Sequence, residues 1–106
     1  MRKGLARRSR PEHAAPVTVA AALQDVMRQL GLTTKLNEYA AMTRWREIVG
    51  EQIARVAVPQ RVENGILFVH VDSGPWRAEL AARRLDLQRK VNEAIGANVV
   101  KEIRFR

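Results

Sequence analysis

The segment that most constrains the fold is VAVPQRVENGILFVHVDS, residues 56–73. Its Asn64-Gly65 dipeptide lies between two runs rich in β-branched residues and prefers the type I′ turn of a two-residue β-hairpin. Pro59 in the first run cannot donate a ladder hydrogen bond, which predicts an edge strand or a bulge. Alternation in the second run divides its side chains between the two faces of a sheet. One face has Leu67, Val69 and Val71, and the other has Ile66, Phe68, His70 and Asp72.

Helical periodicity precedes and follows this hairpin. Before it, apolar spacing predicts a helix over residues 18–31, with Thr18 as its cap, a second over residues 33–50 and a short helical turn over residues 51–57. After it, Asp72 or Ser73 can cap a helix from Pro75 to Ile95, which stops at Gly96. Residues 98–106 alternate and predict a third strand, parallel to the second after a right-handed crossover. The order α-α-β-β-α-β predicts an α+β fold, a small three-stranded mixed sheet with helices packed on one face.

Length and composition indicate the domain organisation. The 106 residues suffice for one domain with a core, which we assign to residues 17–106. Residues 1–16 show no periodicity and contain two prolines, so we expect a flexible basic arm. The chain has no cysteine, no secretory signal and no run of the ~18 apolar residues that a membrane span needs. We therefore expect a cytoplasmic, nucleoid-associated protein with no membrane partner.

Positive charge is the strongest compositional signal. Lys and Arg number 19 against 11 Asp and Glu, which gives a net charge of +8. The arm contributes +4 of this, because its five basic residues oppose only Glu12. An arginine-rich excess favours bidentate phosphate contacts, and nucleic acid is the most common polyanionic partner. The alternative is a basic tail without such a role.

Enzymatic chemistry has little support in the sequence. His70, Asp72 and Ser73 are catalytic-triad residue types, but His70 and Asp72 on a strand lie about 6.5 Å or more apart, too far for a direct hydrogen bond without a bend. Without cysteines, and with no two histidines at ligand spacing, we expect no bound metal. The glycines form no Walker motif, no GxGxxG and no GxxG clamp of ordinary KH domains. We therefore predict no enzymatic activity and no cofactor.

Basic residues on the predicted elements are candidate phosphate contacts. Arg77 and Arg84 lie on one flank of the long helix, where Arg84 either packs its stem with its head in water or reaches a phosphate. If the third strand neighbours the hairpin, Arg104 and Arg106 lie near Phe68 on the outer sheet face. An aromatic ring with arginines on an open sheet resembles surfaces that stack single-stranded bases. Alternatively, a helix or an oligomer partner covers Phe68.

Two Trp-Arg pairs, at residues 45–46 and 76–77, pose a similar choice. Trp45 has apolar neighbours within about one helical turn, and Trp76 begins an apolar stripe along its helix. We interpret both tryptophans as core anchors rather than stacking platforms. The candidate contact in the second pair is then Arg77 rather than Trp76.

Several motifs occur in a recognisable order along the chain. They are WREIVGEQIA from residue 45, NGILFVHVDSGPWRAEL from residue 64, KVNEAIG from residue 90 and VVKEIRFR from residue 99. As a set they resemble the DciA-like family of bacterial replicative-helicase loaders or operators, over residues 23–106. The resemblance implies a KH-like domain without the GxxG clamp and without ATPase activity. It also implies binding to single-stranded or forked DNA, onto which the protein assists the replicative helicase.

We therefore predict a nucleic-acid-binding accessory factor of DNA replication whose partners are single-stranded or forked DNA and the replicative helicase. Two alternatives stay open, a protein-interaction adaptor with only non-specific DNA contact and an RNA-binding KH-like protein. Some family members carry a long flexible extension, and here the arm is the only segment predicted to be flexible. The predicted contacts are Arg2, Lys3, Arg7, Arg8 and Arg10 in the arm and Arg77, Arg84, Lys101, Arg104 and Arg106 in the domain.

Overall fold

The computed structural model describes the backbone of residues 15–106 and the side chains of residues 18–106. The chain divides into two compact units, with the boundary between Thr33 and Thr34. The elements in chain order are helices α1 (Ala15–Gln29), α2 (Leu32–Thr43), α3 (Trp45–Val49) and α4 (Glu51–Ala54), strands β1 (Ala57–Glu63) and β2 (Ile66–Val71), helices α5 (Gly74–Ala82) and α6 (Arg84–Ile95), and strand β3 (Glu102–Phe105). No helix in this part of the chain is long and apolar enough to cross a membrane.

Helix α1 is the main element of the described part of the first unit. It begins at Ala15, so Thr18 lies inside the helix and the predicted cap at Thr18 is wrong. Pro16 falls in the first turn, where a missing N–H removes no intrahelical hydrogen bond. Most of the apolar stripe along α1 is exposed, at Val19, Leu23 and Val26 and at Leu30 directly after the helix, whereas Met27 is half-buried. Their periodicity therefore predicted the helix correctly, without predicting burial.

The second unit contains the three-stranded sheet, in the order β1-β2-β3. Strand β2 pairs antiparallel with β1 and parallel with β3, which confirms the predicted mixed sheet. Asn64 and Gly65 have φ values of 52° and 81°, as the predicted type I′ turn requires. The register shifts between Pro59 and Arg61, and β1 is an edge strand, so the proline signal is also confirmed.

The core lies between the inner face of the sheet and the helices of the second unit. Its fully buried side chains include Leu67, Val69 and Val71 of β2, Leu80 of α5, Val91 of α6 and Ile103 of β3. Trp45 is 2% exposed, and its indole N–H donates to the Ala57 carbonyl at 2.9 Å. Trp76 is half-buried and packs against the same cluster. Both tryptophans thus pack on the core as predicted, Trp45 inside it and Trp76 at its margin.

Two of the predicted helices are each divided in the structure. The helix expected over residues 33–50 breaks at Arg44 (φ −98°, ψ 6°) into α2 and α3. The helix expected from Pro75 to Ile95 breaks at Arg83 (φ −99°, ψ 12°) into α5 and α6. Both arginines adopt the sparsely populated bridge conformation, which ends one run of helical hydrogen bonds and starts another. Neither glycine nor proline marks these breaks, so local sequence signals could not reveal them.

The third strand is shorter than the predicted span of residues 98–106. Strand β3 covers Glu102–Phe105 only. The side chain of Asn92 binds both backbone groups of Val100, accepting from its N–H at 2.9 Å and donating to its carbonyl at 2.8 Å. The backbone groups of Val100 therefore form hydrogen bonds with this side chain and not with a neighbouring strand. Regular pairing with β2 begins two residues later, at Glu102.

The cap of α5 agrees with the sequence. Ser73 lies at the N-terminus of this helix, and its Oγ accepts a hydrogen bond from the Trp76 N–H at 3.3 Å. Pro75 follows in the first turn, as predicted.

Candidate nucleic-acid interface

The sheet faces the helices on one side and carries charged side chains on the other. Arg61 of β1 and Arg104 of β3 both pair with Phe68 of β2, one from each neighbouring strand. Arg106 follows β3 and continues its pairing with β2 through two backbone hydrogen bonds of 2.8 and 2.9 Å. Three arginines therefore surround one phenylalanine on the outer face.

The guanidinium groups lie over the Phe68 ring. Their central carbons are 4.1 Å (Arg61), 5.0 Å (Arg106) and 5.9 Å (Arg104) from the ring centroid. These distances fall within the ~6 Å range of a cation–π interaction. Phe68 is only 6% exposed although it does not belong to the main core cluster, and three arginines from the neighbouring strands lie over its ring. We call Arg61, Phe68, Arg104 and Arg106 the arginine face.

Two arginines of this face are paired with carboxylates of their own strands. The Nε of Arg61 lies 3.3 Å from Oε1 of Glu63, and the Nε of Arg104 donates to Oε2 of Glu102 at 2.8 Å. The hydrogen bond from Arg104 lowers the pKa of Glu102 and raises the pKa of Arg104 itself. All four side chains are exposed by nearly half or more, so solvent screens both pairs and leaves the two arginine side chains accessible to a ligand.

The positive charge of the arginine face is strongest at Arg106, and the nearby Arg84 adds to it. No carboxylate among residues 18–106 lies within ion-pair distance of Arg106, which leaves its guanidinium available for an external anion. Arg84 begins α6 and is exposed, and its charge is near enough to Glu102 to lower the pKa of that carboxyl further. Both roles that the sequence left open for Arg84, a head group in water and a phosphate contact, are compatible with its exposure.

Arg77 has a different environment from the other predicted contacts. Its Nη2 donates to the Val71 carbonyl at 2.7 Å, and its Nε is buried without a hydrogen-bond partner. The guanidinium is thus held against the end of β2, where it satisfies a strand carbonyl. Because the chain breaks at Arg83, Arg77 and Arg84 lie on separate helices and do not share the predicted flank.

Lys101 lines a polar cleft next to the hairpin turn. The cleft has a volume of about 830 Å³ and also contains Lys35, Glu38 and Glu63. The Lys101 side chain lies beside Gly65, and its backbone N–H donates to the Gly65 carbonyl at 2.7 Å. Two lysines oppose two glutamates in this cleft, so its charge favours a polyanion less than the arginine face does.

The remaining predicted contacts lie outside the described residues. They are the arm residues Arg2, Lys3, Arg7, Arg8 and Arg10. Of the five predicted contacts in the domain, the structure brings Arg104 and Arg106 together over one ring and places Arg84 near the same strand.

Arg61 belongs to the arginine face, although the pattern of its strand does not predict this position. In strict alternation from Ala57, which is buried, Arg61 would point inward with the core. The bulge between Pro59 and Arg61 inserts one residue and reverses the alternation, so Arg61 pairs with Phe68 on the outer face. Pro59 signalled an irregularity, and the apolar Val62 that follows Arg61 is the signal that would have located it.

The expected separation of His70 and Asp72 was wrong. The Nε2 of His70 lies 2.7 Å from Oδ1 of Asp72. Asp72 follows the last residue of β2 and is itself at a bend, the exception that the sequence prediction allowed, so the extended spacing of a strand does not apply to it. Both side chains are exposed, and the neighbouring Ser73 is engaged as the cap of α5.

Residues 34–106 define a small α+β unit with helices on one face of a mixed sheet and arginines on the other. Residues 18–105 match the family described as Dna[CI] antecedent, DciA, and the chain belongs to this family. The match covers almost all of the described residues, including most of the arginine face.

Curated relatives agree with this assignment. The chain is similar to UPF0232 proteins of Rhodococcus jostii (32% identical, covering 90% of this chain and 50% of the relative), Streptomyces avermitilis (31%, covering 94% and 56%) and Mycolicibacterium smegmatis (30%, covering 90% and 49%). The chain thus spans about half the length of the curated relatives it matches.

Proposed function

We propose that this protein is a nucleic-acid-binding accessory factor of DNA replication that assists the replicative helicase on single-stranded or forked DNA. Membership of the DciA family supports the replication role. The observation that carries nucleic-acid binding is the arginine face, three guanidiniums around Phe68 on a sheet face that no helix of the second unit covers. The net charge of +8 supports a polyanionic partner of the same kind.

Charge-removing variants test the arginine face directly. Arg61→Gln, Arg104→Gln and Arg106→Gln, combined, keep most of each aliphatic stem over Phe68 and remove the charges. We expect the affinity for a single-stranded oligonucleotide to fall at least roughly tenfold. The slope of log K against log salt should become shallower by about 0.7 for each phosphate that is no longer neutralised. Fluorescence anisotropy over a salt series measures both quantities.

The matched control removes the same charge from exposed helix and loop arginines. Arg46→Gln, Arg55→Gln and Arg89→Gln, combined, change the net charge equally but leave the sheet intact. This control should retain most of the affinity. An equal reduction of affinity in both triple variants would mean that net charge alone, and not the arginine face, governs binding.

Helicase assistance is tested with the host's own replicative helicase. Its loading on forked DNA should increase when this protein is present, and unchanged loading would refute this part of the proposal. Retention of the helicase after nuclease treatment of a lysate, together with no DNA affinity of the purified protein, would favour the adaptor alternative. Competition between single-stranded DNA and RNA of one sequence separates a DNA partner from an RNA partner.

A further inference from the structure

Side chains on the outer face of the sheet form rows that cross the three strands. The middle row is the arginine row, Arg61, Phe68 and Arg104. Toward the hairpin turn lies an acidic row, in which Ile66 pairs with Glu63 on one side and Glu102 on the other. Beyond the arginine row, the third row contains Val58 and His70, which pair, and Arg106, whose backbone bonds to Val69 and Val71 place it level with His70. The outer face is therefore graded in charge along the strands.

The arginine row offers planar surfaces rather than charge alone. The central guanidinium carbon of Arg61 lies over the Phe68 ring, 4.1 Å from its centroid, so the planar head group of Arg61 is in contact with the ring. The side chains of Arg61 and Arg104 are still 45% and 49% exposed, so both remain accessible from the solvent side. Guanidinium planes stack on nucleobases, and a plane already backed by an aromatic ring loses less freedom when a base arrives.

We propose that the arginine row stacks unpaired bases, with the strand crossing the sheet so that its phosphates contact the guanidinium of Arg106, which reaches the Phe68 ring from the third row, and lie away from the acidic row. This proposal rests on the nucleic-acid-binding function proposed above and specifies its mode. A neutral base tolerates the neighbouring Glu63 and Glu102, whereas a phosphate beside them is repelled. Phosphates are instead attracted to Arg106, which has no carboxylate partner among residues 18–106.

The same geometry favours a single strand over other polyanions. Bases in a duplex are stacked on each other and present only their edges, so the planes of Arg61 and Arg104 gain nothing from them. An acidic peptide requires positive charge but no planar group, and Glu63 and Glu102 would repel it. The two edge strands lie about 10 Å apart, two strand spacings, so the row spans a short stretch of nucleic acid.

Arginine-to-lysine variants separate stacking from charge. Arg61→Lys with Arg104→Lys keeps both charges and removes both planes. We expect affinity for single-stranded oligo-dT to fall about tenfold with an unchanged salt slope. Affinity for a duplex of equal length should stay within about twofold. Arg46→Lys with Arg89→Lys is the matched control and should leave both affinities unchanged.

Two further variants test the position of the phosphates. Arg106→Lys should bind nearly as well as the wild type, whereas Arg106→Gln should weaken binding and lower the salt slope by about 0.7. Glu63→Gln with Glu102→Gln should strengthen binding roughly threefold, because two repelling carboxylates that also compete for the arginines are removed. Unchanged or weaker binding in this double variant would refute the role of the acidic row.

The outcomes distinguish this mode from the function on which it rests. If the wild type binds no single-stranded DNA, the proposed function and the stacking mode are both wrong. If the Arg61→Lys and Arg104→Lys variant binds like the wild type while the glutamine triple variant does not, nucleic-acid binding stands and stacking is refuted. If polyglutamate displaces oligo-dT equally well from the wild type and the lysine variant, the face is a general anion site without stacking.

Discussion

Asn92 joins the end of α6 to the segment before β3 through its side-chain amide. It binds both backbone groups of Val100, which is fully buried, and its Nδ2 lies 3.1 Å from Oδ1 of Asn98. Removing the amide leaves a buried N–H and a buried carbonyl without partners, each at a cost of about 1–3 kcal/mol. We therefore expect Asn92→Ala to lower the free energy of unfolding by about 3 kcal/mol, measured by urea denaturation.

Two variants identify which part of the Asn92 contact matters. Asn92→Asp keeps an acceptor for the Val100 N–H and loses the donor, so its stability should lie between those of the wild type and Asn92→Ala. Asn98→Ala removes only an exposed side-chain contact and should cost less than about 1 kcal/mol. If the two alanine variants were equally stable, Asn92 would not be what holds the segment before β3.

The carboxyl of Glu102 provides a titratable test of the arginine face. The hydrogen bond from Arg104 lowers its pKa in the folded protein, so the pair adds stability above the ordinary glutamate pKa of about 4.3. That contribution disappears as the pH falls through the lowered pKa. Because the pair is exposed, the effect should be small and should weaken in high salt. An NMR titration of the carboxyl should show the lowered pKa, and Arg104→Gln should move it back up; no change in that variant would mean that Arg104 is not the cause.

At the scale of elements, the hairpin depends on Gly65. A Cβ at this position would lie 3.1 Å from Cδ of Lys101, and the φ of 81° disfavours any residue with a side chain. We expect Gly65→Ala to lower the free energy of unfolding by about 1–2 kcal/mol, because backbone strain adds to the displacement of Lys101. Gly74→Ala is the control, since Gly74 has open space around it and begins α5. Thermal melting should show little change for Gly74→Ala, and an equal shift in both variants would contradict this account.

Elements that depend on local signals were predicted well from the sequence. The Asn64-Gly65 turn, the Ser73 cap and the left-handed Gly96 at the end of α6 each require a particular residue type at a particular backbone conformation. The breaks at Arg44 and Arg83 have no such signal. Helical periodicity continues through both positions, so it does not predict a break there.

The candidate site could be predicted only where the pattern along a single strand determines it. Alternation along single strands placed Phe68 on the face opposite the core, and the parallel crossover brought Arg104 and Arg106 beside it. The position of Arg61 depended on where one extra residue entered β1, which pairing with β2 determines. Arginines from the strands on both sides of β2 lie over Phe68, so the sequence of no single strand could predict that this ring is covered.

At the scale of the whole molecule, positive charge has two locations with different chemistry. The arm, residues 1–16, contributes +4 through five basic residues that are close together in sequence. The arginine face contributes three guanidiniums whose positions are set by the sheet. Under the proposed function, charge in the arm would attract any phosphate backbone, whereas the proposed stacking on the arginine face would require unpaired bases.

This difference predicts separable effects on affinity and preference. Replacing Arg2, Lys3, Arg7, Arg8 and Arg10 with glutamine should weaken single-stranded and duplex DNA binding by similar factors, and should lower the salt slope on single strands by about 0.7 for each phosphate left without a cation. The ratio of single-stranded to duplex affinity should therefore remain close to that of the wild type. The Arg61→Lys and Arg104→Lys variant should do the reverse, reducing that ratio with little change in salt slope. Anisotropy with both DNA forms over one salt series measures both affinities and both slopes. If the arm variant no longer preferred single strands, the discrimination would have to originate in the arm and not in the sheet.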